Sequence, residues 1–203
     1  MAINLKKGQR ISLTKDNEGL SQIQVGLGWD PIKKSKKKGF FGALRSATAP
    51  DMDCDASVFM LEDNEKMTSG KDGLIYYGHK TSRCGSVHHT GDNLTGEGEG
   101  DDETIIVDLN KVPSNINKLV FVVNIYNCVS KKQHFGMVEN AYIRIINMSN
   151  KQEMVRFNLT EQYTDKTGLI VGEIYRNGSE WKFGALGEGT RDTSLDTMAT
   201  RYK

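Results

Sequence analysis

The sequence predicts an all-β protein: a β-sandwich of about ten short strands, with a short C-terminal helix and acidic loops gathered at one end. Three observations point there. Apolar runs are short, rich in β-branched and aromatic residues, and separated by Gly, Asn and Asp, which is the pattern of strands and not of helices. The segment GLIVGEIYRNGSEWKFGAL alternates on both flanks of Asn177-Gly178, a pair suited to the positive φ angles of a tight hairpin. Helical periodicity is scarce, and many short strands with few helices imply two packed sheets.

The strands follow in chain order. Residues 10–14 (RISLT) and 23–29 (IQVGLGW) open the series. Residues 56–61 (ASVFML), 74–79 (LIYYGH) and 104–109 (TIIVDL) carry β-branched or aromatic side chains between turn-forming neighbours. Residues 119–127 (LVFVVNIYN) are nearly continuous in apolar side chains, which places this strand centrally in its sheet. Residues 141–148, 154–159, 169–175 and 181–185 complete the set. One helical turn is expected at 133–138 and a true helix at 193–202. Thr193 followed by Asp196 has the form of a capping box. Leu195, Met198, Ala199 and Tyr202 then fall on one face, which packs on the sandwich.

Composition bounds the class. A chain of 203 residues allows one good-sized domain, here 1–203, interrupted by a basic inserted loop at 33–50. A hydrophobic content of 37% and a mean hydropathy of −0.52 fit a soluble globular core. The net charge of +1 gives no case for general nucleic-acid binding. Cys54, Cys84 and Cys128 are widely spaced without a CxxC, which argues against a disulfide framework or zinc ribbon and for a reducing cytosol. The opening MAINLKKGQR lacks the apolar stretch of a signal peptide, and no apolar run is long enough to cross a membrane. A cytoplasmic location is the expectation.

The segment 91–103, GDNLTGEGEGDDE, packs Asp92, Glu97, Glu99, Asp101, Asp102 and Glu103 into one loop's length. Two carboxylates about 5 Å apart repel by roughly 1–3 kcal/mol at dielectric constants between those of water and a protein surface. No Lys or Arg occurs from Cys84 to Asn110, so with Asp108 that window carries a charge of −7 while the rest of the chain carries +8. A bound cation is the natural compensation. The loop offers carboxylates, the Asn93 amide, the Thr95 hydroxyl and backbone carbonyls at Gly96, Gly98 and Gly100. All-oxygen donors on a glycine-punctuated backbone suit calcium before magnesium. An EF-hand numbered from Asp92 fails, because Leu94 stands at a ligand place and Glu97 where Gly is needed. A phosphate cradle fails too: the glycine spacing is GxGxG, no Lys follows, and the next segment is a strand. The competing reading is a solvated acidic turn.

Taken together, GDNLTGEGEGDDETIIVDL, the opening MAINLKKGQRISLTK, and the segments VGLGWDP, DMDCDASVFML and SEWKFGALGEG resemble, in the same order, the TerD family of bacterial tellurium-resistance and stress-response proteins. The resemblance covers nearly the whole chain. It implies a calcium-binding β-sandwich of the cytoplasm, linked to resistance to tellurite and other damaging agents, without catalytic activity.

Asp51, Asp53 and Asp55 form a second acidic cluster before SVFML. An EF-hand fails here as well, since Ala56 stands where Gly is required. Asp53 and Asp55 match the acidic pair that precedes this strand in the family pattern. Asp30, in GWDP, sits at another loop end. We expect Asp30, Asp53 and Asp55 to approach the 91–103 segment at one end of the sandwich, with room for one or two calcium ions. The alternative is that they are turn and strand-edge residues. The expected metal set is therefore Asp92, Asn93, Gly96, Glu97, Glu99, Asp101, Asp102 and Glu103, joined by Asp30, Asp53 and Asp55.

Two other features complete the reading. Lys33, Lys34, Lys36, Lys37 and Lys38, followed by Phe40 and Phe41, read either as a solvated loop or as an arm for an anionic surface. Catalytic constellations are weak. Cys84 with His88 and His89 lacks the partners of a zinc site or an activated thiol. No GxSxG is present, and Trp29 and Trp181 lie in strand signals and belong to the core. The function expected is that of a calcium-binding, non-catalytic stress-response module whose partners are other stress proteins, at the cytoplasmic membrane face among other places. The rivals are a metal-dependent hydrolase using the carboxylates and a calcium-dependent module docking on anionic lipid.

Overall fold

The computed structural model describes residues 2–32, 52–91 and 100–203; the lysines at 33–38, Asp51 and residues 92–99 lie outside the described residues. Among the described residues twelve strands appear in chain order: β1 (Ile3–Leu5), β2 (Arg10–Ser12), β3 (Gln22–Pro31), β4 (Cys54–Glu62), β5 (Leu74–Ile75), β6 (Val87–His89), β7 (Glu103–Asp108), β8 (Ile116–Ile125), β9 (Val138–Asn147), β10 (Glu153–Asn158), β11 (Gly168–Asn177) and β12 (Glu180–Thr190). Two short α-helices, α1 (Cys128–Lys131) and α2 (Leu195–Ala199), occur among the described residues. The strands form two six-stranded sheets, ordered β1-β10-β9-β3-β7-β6 and β2-β12-β11-β8-β4-β5. Every pairing is antiparallel except β1 with β10. The expected all-β sandwich is what the chain forms.

Strand alternation builds the core. Val25, Leu27 and Trp29 of β3, Ile105 and Val107 of β7, and Ile143 and Ile145 of β9 face inward from the first sheet. Cys54, Ala56, Val58 and Met60 of β4 meet them with Leu119, Phe121 and Val123 of β8. The opposite face of the second sheet is also covered. Phe59, Leu61, Val120, Val122 and Ile170 pack there against Met198 and Ala199 of α2. β8 lies between β11 and β4 and is buried on both faces, which explains its almost unbroken apolar run. Met198 and Ala199 are buried and Leu195 and Tyr202 half-buried against this cluster, as the helical stripe predicts.

Local details differ from expectation. The α2 cap is Ser194, not Thr193: Ser194 Oγ accepts from the Thr197 amide at 3.2 Å, and Thr197 Oγ1 accepts from the Ser194 amide. In the β11–β12 hairpin, Asn177 pairs with Glu180, so the turn is Gly178-Ser179. Only the glycine takes positive φ, at 64°, because a Gly-first two-residue turn already matches the strand twist. The expected strand at 74–79 shortens to Leu74–Ile75, after which Tyr76 and His79 exchange backbone hydrogen bonds across a tight turn. The three-residue strands β1 and β6 have too few residues for alternation to show. Residues 133–138 hold one 3₁₀ turn, Phe135–Met137, and α1 follows the strand that was expected to reach Asn127. Among the described residues no helix is long and apolar enough to cross a membrane.

Two short N-terminal strands separate onto different sheets. β1 pairs with β10, and β2 with β12.

Candidate functional site

Asp101, Asp102 and Glu103 lead into β7 in succession, yet each meets different surroundings. Asp101 lies over the outer face of the first sheet, directly above Gly26. A Cβ at Gly26 would stand 2.1 Å from Asp101 Oδ2, so the strand can pass beneath this carboxylate only without a side chain. Asp101 Oδ1 accepts from Arg144 Nε at 2.7 Å and from the Tyr142 hydroxyl at 3.0 Å. Its Oδ2 accepts from Gln24 Nε2 at 3.1 Å. Gly28 provides the same clearance for Tyr142, whose ring would be 2.5 Å from an added Cβ. The glycines of VGLGW are therefore a floor for two side chains.

The positive charge absent from the acidic stretch thus arrives in part from β9. Arg144 also donates to Glu153 Oε2 at 3.1 Å, and Arg156 donates to both Glu153 oxygens. The Arg156 guanidinium sits 4.3 Å from the Tyr142 ring centroid. Hydrogen bonds from Arg156, then from Arg144, hold the Glu153 carboxyl below its usual range against the opposing effect of burial. Burial first, and the Asp101 charge next, push the Tyr142 phenol up to about 12. Sequence reading missed this network. Its trace was the alternation of Tyr142 and Arg144 with Ile143 and Ile145, a polar outer face on an apolar strand.

Asp102 is joined to β3 twice. Its amide donates to Leu27 O at 2.8 Å, and its Oδ2 accepts from the Trp29 amide at 2.7 Å. Burial raises its carboxyl above the ordinary value, and the charges of Asp30, Asp101 and Glu103 raise it further, although the Trp29 bond pulls the other way. Asp30 lies beyond a register shift at Gly28/Asp30 in the β3–β9 pairing. It is exposed, and its Oδ2 accepts from Asn140 Nδ2 at 2.9 Å. Asp30 and Asp102 line one open cleft with Trp29, Glu139, Tyr142 and Arg156.

Glu103 turns inward. Its Oε2 lies 2.9 Å from His89 Nε2, both side chains being 1% exposed. His89 Nε2 is also 3.1 Å from Ala56 O, and His89 Nδ1 accepts from the Gly91 amide at 3.2 Å. With Nδ1 an acceptor, a proton is assigned to Nε2, where it is donated to the Ala56 carbonyl, while the Glu103 carboxylate lies beside the ring at ion-pair distance. Thr90 donates its amide and hydroxyl to Thr104 O. Both described flanks of residues 92–99 are therefore fastened to the sandwich.

The second cluster approaches from the other sheet. β4 alternation puts Cys54 and Ala56 in the core and Asp55 on the outer face, opposite Asn124 of β8. The Asp53 carbonyl accepts from the Tyr126 amide at 2.8 Å. Burial drives the Cys54 thiol well above its ordinary range, and the charges of Asp55, Asp53, Asp102 and Glu103 add to that. Acids from 53–55 and 102–103 thus act on one buried atom, at one end of the sandwich. They face three ways: Asp30, Asp101 and Asp102 outward from the first sheet, Glu103 between the sheets, Asp55 outward from the second. Among the described residues no three His, Cys, Asp or Glu are grouped to hold a metal ion. Asp92, Asn93, Gly96, Glu97 and Glu99 lie outside the described residues.

The weaker candidates resolve simply. Cys84 Sγ pairs with Ser86 Oγ at 3.0 Å and Ser82 Oγ at 3.4 Å, while His88 Nδ1 pairs with Thr81 Oγ1. No Cys84–His88 pair forms among these contacts. Trp29 and Trp181 are both core residues, 6% exposed.

The TerD domain family model matches residues 1–202. The chain is 60% identical to stress response protein SCP2 of Bacillus subtilis (strain 168) over the whole length of both. It is 42% identical to tellurium resistance protein TerD of Serratia marcescens, covering 93% of this chain and 91% of that one. A crystal structure of a homologue of telluride resistance protein (TerD) from Streptomyces coelicolor A3(2) superposes with a TM-score of 0.64 at 19% identity, over 89% of this chain and 96% of that one. A crystal structure of a protein of unknown function gives 0.69 at 20%, over 90% and 96%. These two likenesses concern the fold, and the fold is the sandwich described above. With a whole-length family match and relatives this similar, the chain belongs to the TerD domain family.

Proposed function

We propose that this protein is a non-catalytic stress-response module whose acidic end binds calcium, and that the bound ion sets the surface offered to a partner. The observation that carries the reading is the state of Asp102. Its carboxyl is held up by burial and by three neighbouring acids, at the flank of a segment carrying further acids and no base. A divalent cation relieves that repulsion. The donors suit it in kind, being carboxylate, amide and carbonyl oxygens. Asp30 and Asp102, which share a cleft, would ligate with Asp92, Asn93, Glu97, Glu99 and the Gly96 carbonyl. Asp101, already matched by Arg144, and Glu103, held at His89, would steady the site. Asp53 and Asp55 would add negative field from the second sheet, where a second ion would sit. The names of the relatives, stress response and tellurium resistance, support the physiological half of the reading. The partners are other stress proteins, met in the cytoplasm or at its membrane face.

Calcium titration followed by melting temperature tests this. A ligand at a hundredfold excess over Kd stabilises by about 2.7 kcal/mol, or about 5–11 °C for a chain of this size. Asp102→Asn should abolish most of that rise. An unchanged melting temperature at saturating calcium would refute the proposal.

A further inference from the structure

The β11–β12 hairpin closes through the turn Gly178-Ser179, and the residue that enters the turn is Asn177. Of all the asparagines in the chain, only this one is followed by glycine. Asn177 and Gly178 are both exposed, and a Cβ at Gly178 would meet nothing within 4 Å. Among the described residues, neither the Gly178 amide nor the Asn177 side chain has a hydrogen-bond partner. Trp181 and Phe183 point into the core, so Glu180 and Lys182 stand on the outer face of the second sheet. Register sets Asn177 opposite Glu180 and diagonal to Lys182, a separation of about 7 Å. Arg10, Lys15 and Asp16 line the same open cleft as these residues. Arg10 is engaged by Glu173 and the Tyr175 ring, whereas Lys15 and Lys182 make no ion pair among the described residues.

We propose that Asn177 is a site of spontaneous covalent modification in the folded protein, opened by its glycine neighbour and favoured by the bases of this cleft. The Gly178 nitrogen attacks Asn177 Cγ and gives its proton to water. The N–Cγ bond forms, the Cγ–Nδ2 bond breaks, and the side-chain nitrogen leaves as ammonia. Water then opens the five-membered imide. Attack at Cγ yields aspartate; attack at the main-chain carbonyl carbon yields isoaspartate, whose backbone runs through the former side chain. Glycine permits the first step because no Cβ shields its nitrogen. Negative charge develops on the Cγ oxygen during that step, and Lys15 and Lys182 stabilise it through space. The Asn177–Glu180 pair must open for ring closure, and a hairpin tip is where opening is easiest. The new carboxylate brings the cleft's three bases and two acids into balance. Isoaspartate also adds a main-chain carbon to the turn, which loosens the pair that closes it.

The test is to age the full chain at neutral pH and physiological temperature, following each asparagine by peptide mapping and mass spectrometry. The expected result is conversion at Asn177 ahead of every other asparagine, slowed about threefold when Lys15→Gln and Lys182→Gln are combined. In urea, where the cleft is lost, parent and variant should convert at one rate. Both lysines lie at the surface, so the variant folds and reports on the charge alone. The proposal is overturned if Asn177 survives in the folded chain as long as the other asparagines do. It is overturned equally if the lysine changes leave its rate unaltered, or alter it to the same extent in urea.

Discussion

Gly26→Ala isolates the contact that fastens the far flank of the acidic segment. Gly26 does not need a left-handed backbone, so alanine itself is acceptable to the strand. The damage comes from its methyl, which would occupy the place of Asp101 Oδ2. Expelling that carboxylate breaks its bonds to Arg144, Tyr142 and Gln24. Breaking a buried pair costs about 3–5 kcal/mol; because Arg144 is 24% exposed against 5% for Asp101, the lower end applies, about 3 kcal/mol. For a chain of this size that is a fall in melting temperature of about 6–12 °C. Thermal unfolding of Gly26→Ala, Asp101→Ala and the double variant is the assay. Once the carboxylate is gone, the alanine has nothing to strike, so the double variant should melt close to Asp101→Ala alone. Strict additivity, or a Gly26→Ala variant as stable as the parent, would refute the reasoning.

Asp102→Asn should stabilise the calcium-free chain at neutral pH while removing its calcium response. The folded state raises this carboxyl above its ordinary value of 3.8, so it retains the proton to higher pH than the unfolded chain does. Its contribution is therefore complete at acid pH and lost as pH rises through the folded value; chelator-treated melts from pH 3 to 7 should show that decline in the parent and not in the variant. Glu153 has the opposite sign, being lowered chiefly by its bond from Arg156: Glu153→Gln should lose stability above the ordinary carboxylate range and approach the parent as acid removes the charge from both. Ser194→Ala should cost about 1 kcal/mol through loss of the α2 cap, whereas Thr193→Ala should be near neutral, and equal losses would contradict the assignment. If the basic stretch serves an anionic surface, changing Lys33, Lys34, Lys36, Lys37 and Lys38 to Ser should reduce sedimentation with phosphatidylserine vesicles; unchanged sedimentation would remove that role.

Much of the architecture was legible because burial on one face leaves a period of two, and β8, covered on both, leaves an unbroken run. The failures have physical causes. Two or three residues cannot display a period, so β1 and β6 escaped notice and the short β5 was overextended. Ser194 and Thr193 are chemically near-equal caps, and which one acts depends on where α2 meets Phe59 and Val122. The candidate site was legible as charge and not as geometry. That Asp101 lacks a basic neighbour holds along the chain but not in space, because Arg144 lies 43 residues away and two strands over from β7, on the far side of β3. Gly26 and Gly28 showed no reason for being glycine until a carboxylate and a phenol were seen above them.

The division of the N-terminal strands between the two sheets governs the order in which this molecule can be completed. β1 and β2 lie within the first twelve residues, yet their docking sites, β10 and β12, begin at Glu153 and Glu180. On a ribosome β1 and β2 must wait for these partners until most of the sandwich has emerged. Both rims of the nascent sandwich stay open for that interval, when stray edge-to-edge pairing is most dangerous. These two strands then work as a late-fitting clasp across both layers, and amino-acid changes within them should speed opening of the finished protein more than they slow its folding.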